Sequence, residues 1–375
     1  MKKPLLLAAI SLAAILLLAG CGGGGSTAAE AGASAQQAAE AEAAEVATAT
    51  ETNETAEESD LGGSLEADGT SGDKLPQRSS EPAAVSGSPT VYFTSDISAE
   101  GLVRIYEALG WTPSGKTAVK ISTGEPPASN YLRPELIGDL VQKLDGTIVE
   151  CNTAYGGSRA SSAMHRQVAE DHGFTAIADF DLMDEEGEVE WPVTRGSRLD
   201  KIIVGSHAEN YTDWVILSHF KGHAMAGFGG AIKNVGIGIS SPSGKVYVHS
   251  AGTRTSGSIM HSDQDEWLEA LAEMVSGFRD HVGEEHIIYI NVMNRLSVDC
   301  DCDGNPDEPD MHDIGILASF DPVALDQACV DLVYQAQDSE ALVNRIESRN
   351  GIHTLEHAEE IGLGSRTYEL VSIDE

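Results

Sequence analysis

The stretch Trp214-Val215-Ile216-Leu217-Ser218-His219-Phe220-Lys221-Gly222-His223-Ala224-Met225-Ala226-Gly227-Phe228-Gly229-Gly230-Ala231-Ile232-Lys233-Asn234 decides how the chain is read. Its first half is an unbroken apolar run with β-branched residues. A strand that shows no polar alternation is buried on both faces, which is the habit of parallel sheets covered by helices. Its second half is a glycine-rich loop carrying two histidines and two lysines. Reactive side chains therefore follow a buried strand directly.

The same grammar repeats on either side. Thr90 to Thr94, Thr117 to Ser122, Thr147 to Cys151, Lys201 to Val204, His286 to Met293, Ile314 to Ser319 and Tyr368 to Ile373 read as further strands. Between them lie helical spacings: Leu102, Ile105, Tyr106 and Leu109 before Gly110, and Leu136, Leu140, Val141 and Leu144 after Pro134. Ser161 to His172, Trp267 to Phe278, Pro322 to Tyr334 and His353 to Ile361 read likewise. Strands alternating with helices of this length predict an α/β fold, a mostly parallel sheet with helices on both faces, with room for two lobes. Ligands in such folds sit beyond the carboxyl ends of the strands, where the polar loops fall.

In the 218–234 loop, Gly227, Gly229 and Gly230 allow close backbone approach to a bound group. Their N–H groups, with Asn234, can hold an anion while Lys221 or Lys233 supplies charge. His219 and His223, four apart, can ligate a metal if the segment is helical, or move protons. A tightly packed loop that needs glycine only for its backbone is the plainer reading. The lysines do not have phosphate-loop spacing.

The second motif is Asp299-Cys300-Asp301-Cys302-Asp303-Gly304-Asn305-Pro306-Asp307-Glu308-Pro309-Asp310-Met311-His312-Asp313. In one reading Cys300 and Cys302 hold a soft metal or part of an iron–sulfur centre, helped by His312 or another cysteine, with Asp301 between them a further candidate ligand. In another, Asp299, Asp301, Asp303, Asp307 and Asp310 form a calcium loop, although its twelfth position is Asp310 rather than glutamate and no helix precedes it. A solvated acidic loop is the third. Alternate residues of an extended segment point opposite ways, so cysteines and aspartates do not readily serve one ion. A Cys-x-Cys disulfide closes a small ring, and no disulfide framework is expected. Tyr155 to Ser162 can cap a helix or bind an anion. His207 reads as structural, Asp321 as a helix N-cap and Cys329 as a buried thiol.

The chain opens Met1-Lys2-Lys3, then runs apolar from Leu5 to Leu18 and continues Leu18-Ala19-Gly20-Cys21. That is a lipoprotein signal, 1–21, with Cys21 the lipidated residue and a stable two-chain membrane anchor. Residues 22–89 lack aromatic residues and carry only Lys74 and Arg78 as basic ones, so they read as a disordered acidic tether. The folded domain is 90–375. A formal charge of −37 argues against nucleic acid and against lying flat on anionic lipid. The expected place is the outer, extracytoplasmic face of a cell membrane.

The loop from His219 to Asn234 resembles the central signature of the family known as domain of unknown function 362. Cys300-Asp301-Cys302, Asp313 to Ser319 and Asp321 to Ala328 resemble its C-terminal signature. Members often carry a ferredoxin-type cluster insert, and the resemblance implies weight on the Cys-Asp-Cys pair and the His/Lys/Gly loop. No cysteine lies between His249 and Trp267, where that insert would fall, so ferredoxin-type clusters are not expected. Together these point to a metal- or cofactor-dependent extracytoplasmic protein with redox chemistry within reach. Its site residues would be His219, Lys221, His223, Lys233, Cys300 and Cys302. The alternative is a non-catalytic lipoprotein that captures calcium or a small anion.

Overall fold

The computed structural model describes residues 87–260, 263–309 and 311–374. The signal, Cys21 and most of the tether lie outside them. In chain order the elements are β1 (Thr90–Thr94), α1 (Ala99–Ala108), β2 (Thr117–Lys120), α2 (Pro134–Lys143), β3 (Thr147–Glu150), α3 (Ser162–Asp171), β4 (Phe180–Leu182), β5 (Glu188–Pro192) and β6 (Lys201–Gly205). There follow β7 (Asp213–His219), β8 (Lys221–His223), β9 (Gly227–Gly229), α4 (Ala231–Gly236), α5 (Pro242–His249), α6 (Gln264–Val282) and β10 (Ile287–Met293). The chain ends with β11 (Gly315–Ser319), α7 (Pro322–Gln335), α8 (Glu340–Ser348), α9 (His353–Glu360) and β12 (Glu369–Ser372).

The eight-stranded central sheet has the order β12-β1-β11-β10-β7-β2-β3-β4. All its neighbours pair in parallel except β11, which runs antiparallel to both β1 and β10. Every residue of β7 and of β10 is buried, as their unbroken apolar runs require. Along β7 the side chains alternate between two cores. Trp214 and Ile216 pack with α6 and α7 through Leu271, Phe278 and Val323, while Val215 and Leu217 pack with α1 and α2 through Leu102, Ile105 and Leu140. All described residues belong to one compact unit.

Two departures from the expected pattern matter. Lys201 to Val204 does form a strand, but it pairs with β5 in a separate hairpin rather than joining the central sheet. The glycine-rich segment is not an open loop either. Lys221–His223 and Gly227–Gly229 pair antiparallel, and the short helix α4 follows at once. From β2 the chain moves outward to β3 and β4, whereas from β7 it moves the other way to β10. The crevice beyond the carboxyl ends of the adjacent strands β2 and β7 is therefore the switch point of this sheet.

Candidate functional site

Three strand-end loops meet over that crevice. The loop after β2 is joined to the Cys-Asp-Cys loop by two backbone bonds: Glu125 N donates to Asp301 O (2.8 Å) and Ala128 N to Gly304 O (3.0 Å). The β7–β8 segment is joined to the same loop by Gly222 N to Ser297 O, 2.8 Å. A Cβ on Gly222 would lie 2.3 Å from the Val298 carbonyl oxygen, so only glycine lets these two backbones meet.

At the centre is a buried ionic clasp. One carboxylate oxygen of Asp301 pairs with His219 Nδ1 at 2.8 Å, and the other accepts from Lys221 Nζ at 2.9 Å. Lys221 also donates to His219 O (2.8 Å), and His219 Nε2 lies 2.6 Å from Asn294 O. Both ring nitrogens of His219 are thus engaged, and the expected metal-ligand role is corrected. The segment is extended rather than helical, and the His219 ring is taken by the chain itself. Burial pushes the Asp301 carboxyl up, but Lys221 and His219 outweigh it and hold it well below the usual carboxylate range.

The opposite side of the same loop carries sulfur. Cys300 is buried and Cys302 partly so, and the two sulfurs are joined in a disulfide, the small Cys-x-Cys ring, while Cys151 and Cys329 are free. The turn closed by Asp303 N to Cys300 O (3.0 Å) is what brings two residues of such short separation face to face. His223 joins them from β8: its ligand nitrogen and both sulfurs lie within 4.8 Å of one another. His223 Nδ1 accepts from the backbone N–H groups of Met225 (3.1 Å) and Ala226 (2.9 Å). Those bonds make Nδ1 the acceptor and put the ring proton on Nε2, so ligation through Nε2 would need that proton moved to Nδ1 and both bonds opened. Burial, with Lys233 and His249 nearby, holds this imidazole well below its ordinary pKa, so it stays neutral.

The glycines and Asn234 serve differently from the expected anion cradle. Gly227 has φ 80° and sits against the backbone of Ile346 and Gly351, where a Cβ would be 3.0–3.1 Å away. The start of α4 is already filled by a carboxylate of this chain. Asp326 accepts from Ala231 N (2.8 Å), Ile232 N (3.0 Å) and Asn291 Nδ2 (2.7 Å). Its burial pushes its pKa up to about 6. A Cβ on Gly230 would lie 2.3 Å from Asp326 Oδ1. Asn234 spends its amide on Lys120 O (3.1 Å), Leu217 O (3.2 Å) and Ser218 Oγ (3.0 Å), and its Oδ1 accepts from Lys120 Nζ (3.1 Å). It ties β2 to β7. Lys233 is half-buried, and its Nζ has no hydrogen-bond or ion-pair partner among the described residues.

The ends of β2 and β3 add charges, of which sequence reading singled out only Arg159, within Tyr155 to Ser162; Lys120 and Glu150 sit inside apolar strands and Glu125 in a loop of ordinary composition. Lys120 Nζ lies 3.9 Å from Glu150, and Arg159 lies 3.8 Å from Glu150 and 3.0 Å from Glu125. Burial raises the Glu150 carboxyl, but Lys120 and Arg159 overcome this and hold it low. His165 is fully buried, with Nε2 2.9 Å from Thr123 Oγ1, and burial drives its pKa down to about 3. An unfolded histidine titrates near 6.5, so below that pH the unfolded chain binds a proton that the folded chain refuses, and stability falls with pH. Between neutrality and pH 4.5 this one group is expected to cost about 2–3 kcal/mol. Urea melts across that range should show the slope, and His165→Gln should flatten it; an equal slope in both would remove the assignment.

Several expected ligands are not brought together. His312 is exposed and its Nδ1 pairs with Asp338 (2.9 Å); His223, not His312, accompanies the cysteines. Asp299 faces Arg345 (3.5 Å), Asp303 accepts from Asn305 N (2.8 Å) and Asp301 points into the clasp, so the aspartates do not form a calcium cage; Asp310 lies outside the described residues. The Tyr155–Ser162 loop is engaged from within, Arg159 and Ser158 N both reaching Glu125. His207 pairs with Asp181 (2.8 Å), Asp321 caps α7 and Cys329 is a buried free thiol.

Fold and site together define an α/β protein whose sheet end carries a buried ionic clasp backed by a paired-sulfur centre. The chain belongs to the family described as Domain of unknown function (DUF362), whose model matches residues 117–331. A comparison with curated proteins finds no match. Among solved structures, the chain is similar to the lactate racemase apoprotein from Thermoanaerobacterium thermosaccharolyticum, at 13% identity and TM-score 0.42, covering 66% of this chain and 57% of that one. It is also similar to a Thermotoga maritima protein solved in a structural genomics programme, at 12% identity and TM-score 0.36, covering 70% of this chain and 58% of that one. The chain spans less than two thirds of either structure.

Proposed function

We propose that this protein is a lipid-anchored extracytoplasmic metalloprotein whose soft-metal site is opened by reduction. The observation that carries the reading is the convergence of His223 with Cys300 and Cys302 from two loops far apart in sequence. Two thiolates and a neutral imidazole suit zinc or another borderline or soft ion. The disulfide must first be opened. A dithiol reductant delivers two electrons and two protons, giving two thiols and leaving its own sulfurs oxidised. Binding a divalent ion then releases both thiol protons.

The protein's own part is orientation. Met225 N and Ala226 N hold the His223 ring by Nδ1, so a metal is taken at Nε2 only when the ring proton moves to Nδ1 and those two bonds open, and the clasp through Asp301 anchors the segment between the cysteines. Three ligands leave a tetrahedral ion one position for water or substrate, the pattern of reactive rather than purely structural sites. The sequence from Met1 to Cys21 supports the anchor, and the acidic stretch after it supplies reach.

The test is elemental analysis and cobalt absorption on the full-length protein, before and after reduction. The reduced protein should take up one metal per chain with a sulfur-to-cobalt charge-transfer band. The oxidised protein, Cys300→Ser and His223→Ala should not. Equal uptake by the reduced protein and Cys300→Ser would refute the site. Palmitate labelling that survives Cys21→Ser would refute the anchor.

A further inference from the structure

Among the described residues, Lys233 is a cation at this end of the sheet that is left unpaired. Every comparable group is engaged: Lys120 by Asn234, Arg159 by Glu125, Lys221 by Asp301, Lys245 by Ser240 O and Arg345 by Val298 O. Lys233 Nζ has no such partner among the described residues, yet its side chain is half-buried and reaches solvent. Burying an ammonium without an anion is costly, and an arrangement that persists with one is waiting for a partner or using the amine.

Its surroundings say which. The charges acting most strongly on Lys233 are Lys221, Asp301, Arg159 and Lys120; Asp301 is already engaged by His219 and Lys221, while Arg159 and Lys120 face Glu125 and Glu150. Burial, followed by the charge of Lys221, pushes the lysine down to about 7, so much of it is neutral amine at neutral pH. An amine desolvated beside other cations is a nucleophile toward carbonyl carbon. The same cations favour a substrate with a carboxylate close to that carbonyl. The Lys221 and Lys233 side chains flank Gly229 together, each 3.8 Å from where a Cβ there would lie, which is ordinary contact distance.

We propose that Lys233 forms an imine with a small 2-oxo acid bound over the carboxyl ends of β2 and β7. The Nζ lone pair adds to the carbonyl carbon, and the carbonyl oxygen leaves as water with the two amine protons. A C=N bond replaces C=O with no change of oxidation state. The metal site is not needed for this step, so the two readings stand or fall separately.

The experiment is reductive trapping. The full-length protein is incubated with glyoxylate and cyanoborohydride, digested and mapped by mass spectrometry. The peptide bearing Lys233 should carry the carboxymethyl adduct at least about tenfold faster than those bearing the exposed Lys116 and Lys143. Lys233→Arg should lose that adduct while melting at the wild-type temperature. Labelling of Lys233 no faster than of Lys116 or Lys143 would overturn the nucleophile. Equal labelling of Lys233 by glyoxylate and by acetaldehyde would overturn the acid requirement.

Discussion

Asp301→Ala is expected to destabilise the protein by about 3–5 kcal/mol, because it leaves Lys221 and His219 buried without the carboxylate that both face. Exposed ion pairs contribute little, but this one is shielded: Asp301 is 2% exposed, and its two oxygens are each used by a different partner. The consequence should reach beyond stability. Asp301 stands between Cys300 and Cys302, so releasing it frees the sulfur loop from β7 and β8. Reduced Asp301→Ala should therefore bind cobalt at least about tenfold more weakly than wild type. Asp301→Asn, which keeps the shape and one acceptor, should lie between the two. Chemical denaturation and a cobalt titration check both parts. Unchanged stability in Asp301→Ala would mean that solvent reaches the clasp and screens it.

The clasp also shows how far sequence reading went. The segment Asp299 to Asp303 is a turn rather than the extended strand that period-two alternation assumes, and it is this turn that sends Asp301 to His219 while both sulfurs lie with His223. The long apolar runs of β7 and β10 were legible because burial on both faces leaves no other pattern. What was not legible is partnership. His219 and Asp301 are 82 residues apart, and nothing in a strand end announces which distant loop will cover it. His312 is near the cysteines in sequence and His223 is not, yet the fold brings the latter to them. The hairpin β8–β9 escaped detection because strands of three residues with alternating glycine have no hydrophobic period. β11 resembles its parallel neighbours in composition, since burial on both faces selects the same residues whichever way a strand runs.

The glycines were assigned to a ligand, and the structure gives the reason to look again at Asp326. A chain that presents N–H groups at a short helix can satisfy them from outside or from within. Here it does so from within, with a carboxylate contributed by α7. Asp326→Ala should cost about 3–5 kcal/mol, since Ala231 N, Ile232 N and Asn291 Nδ2 all lose their acceptor in a dry core. Gly230→Ala should mimic part of this from the other side, because its new Cβ would press on Asp326 Oδ1. The double variant should be little worse than Asp326→Ala alone, the pattern of two residues serving one contact. Strict additivity in a denaturation cycle would show that Gly230 and Asp326 act independently. Loss of this contact should also loosen α4, which carries Lys233. Asp326→Ala should then slow glyoxylate trapping at Lys233 without touching any group that reacts, which ties the segments 219–234 and 321–328 to one packed unit.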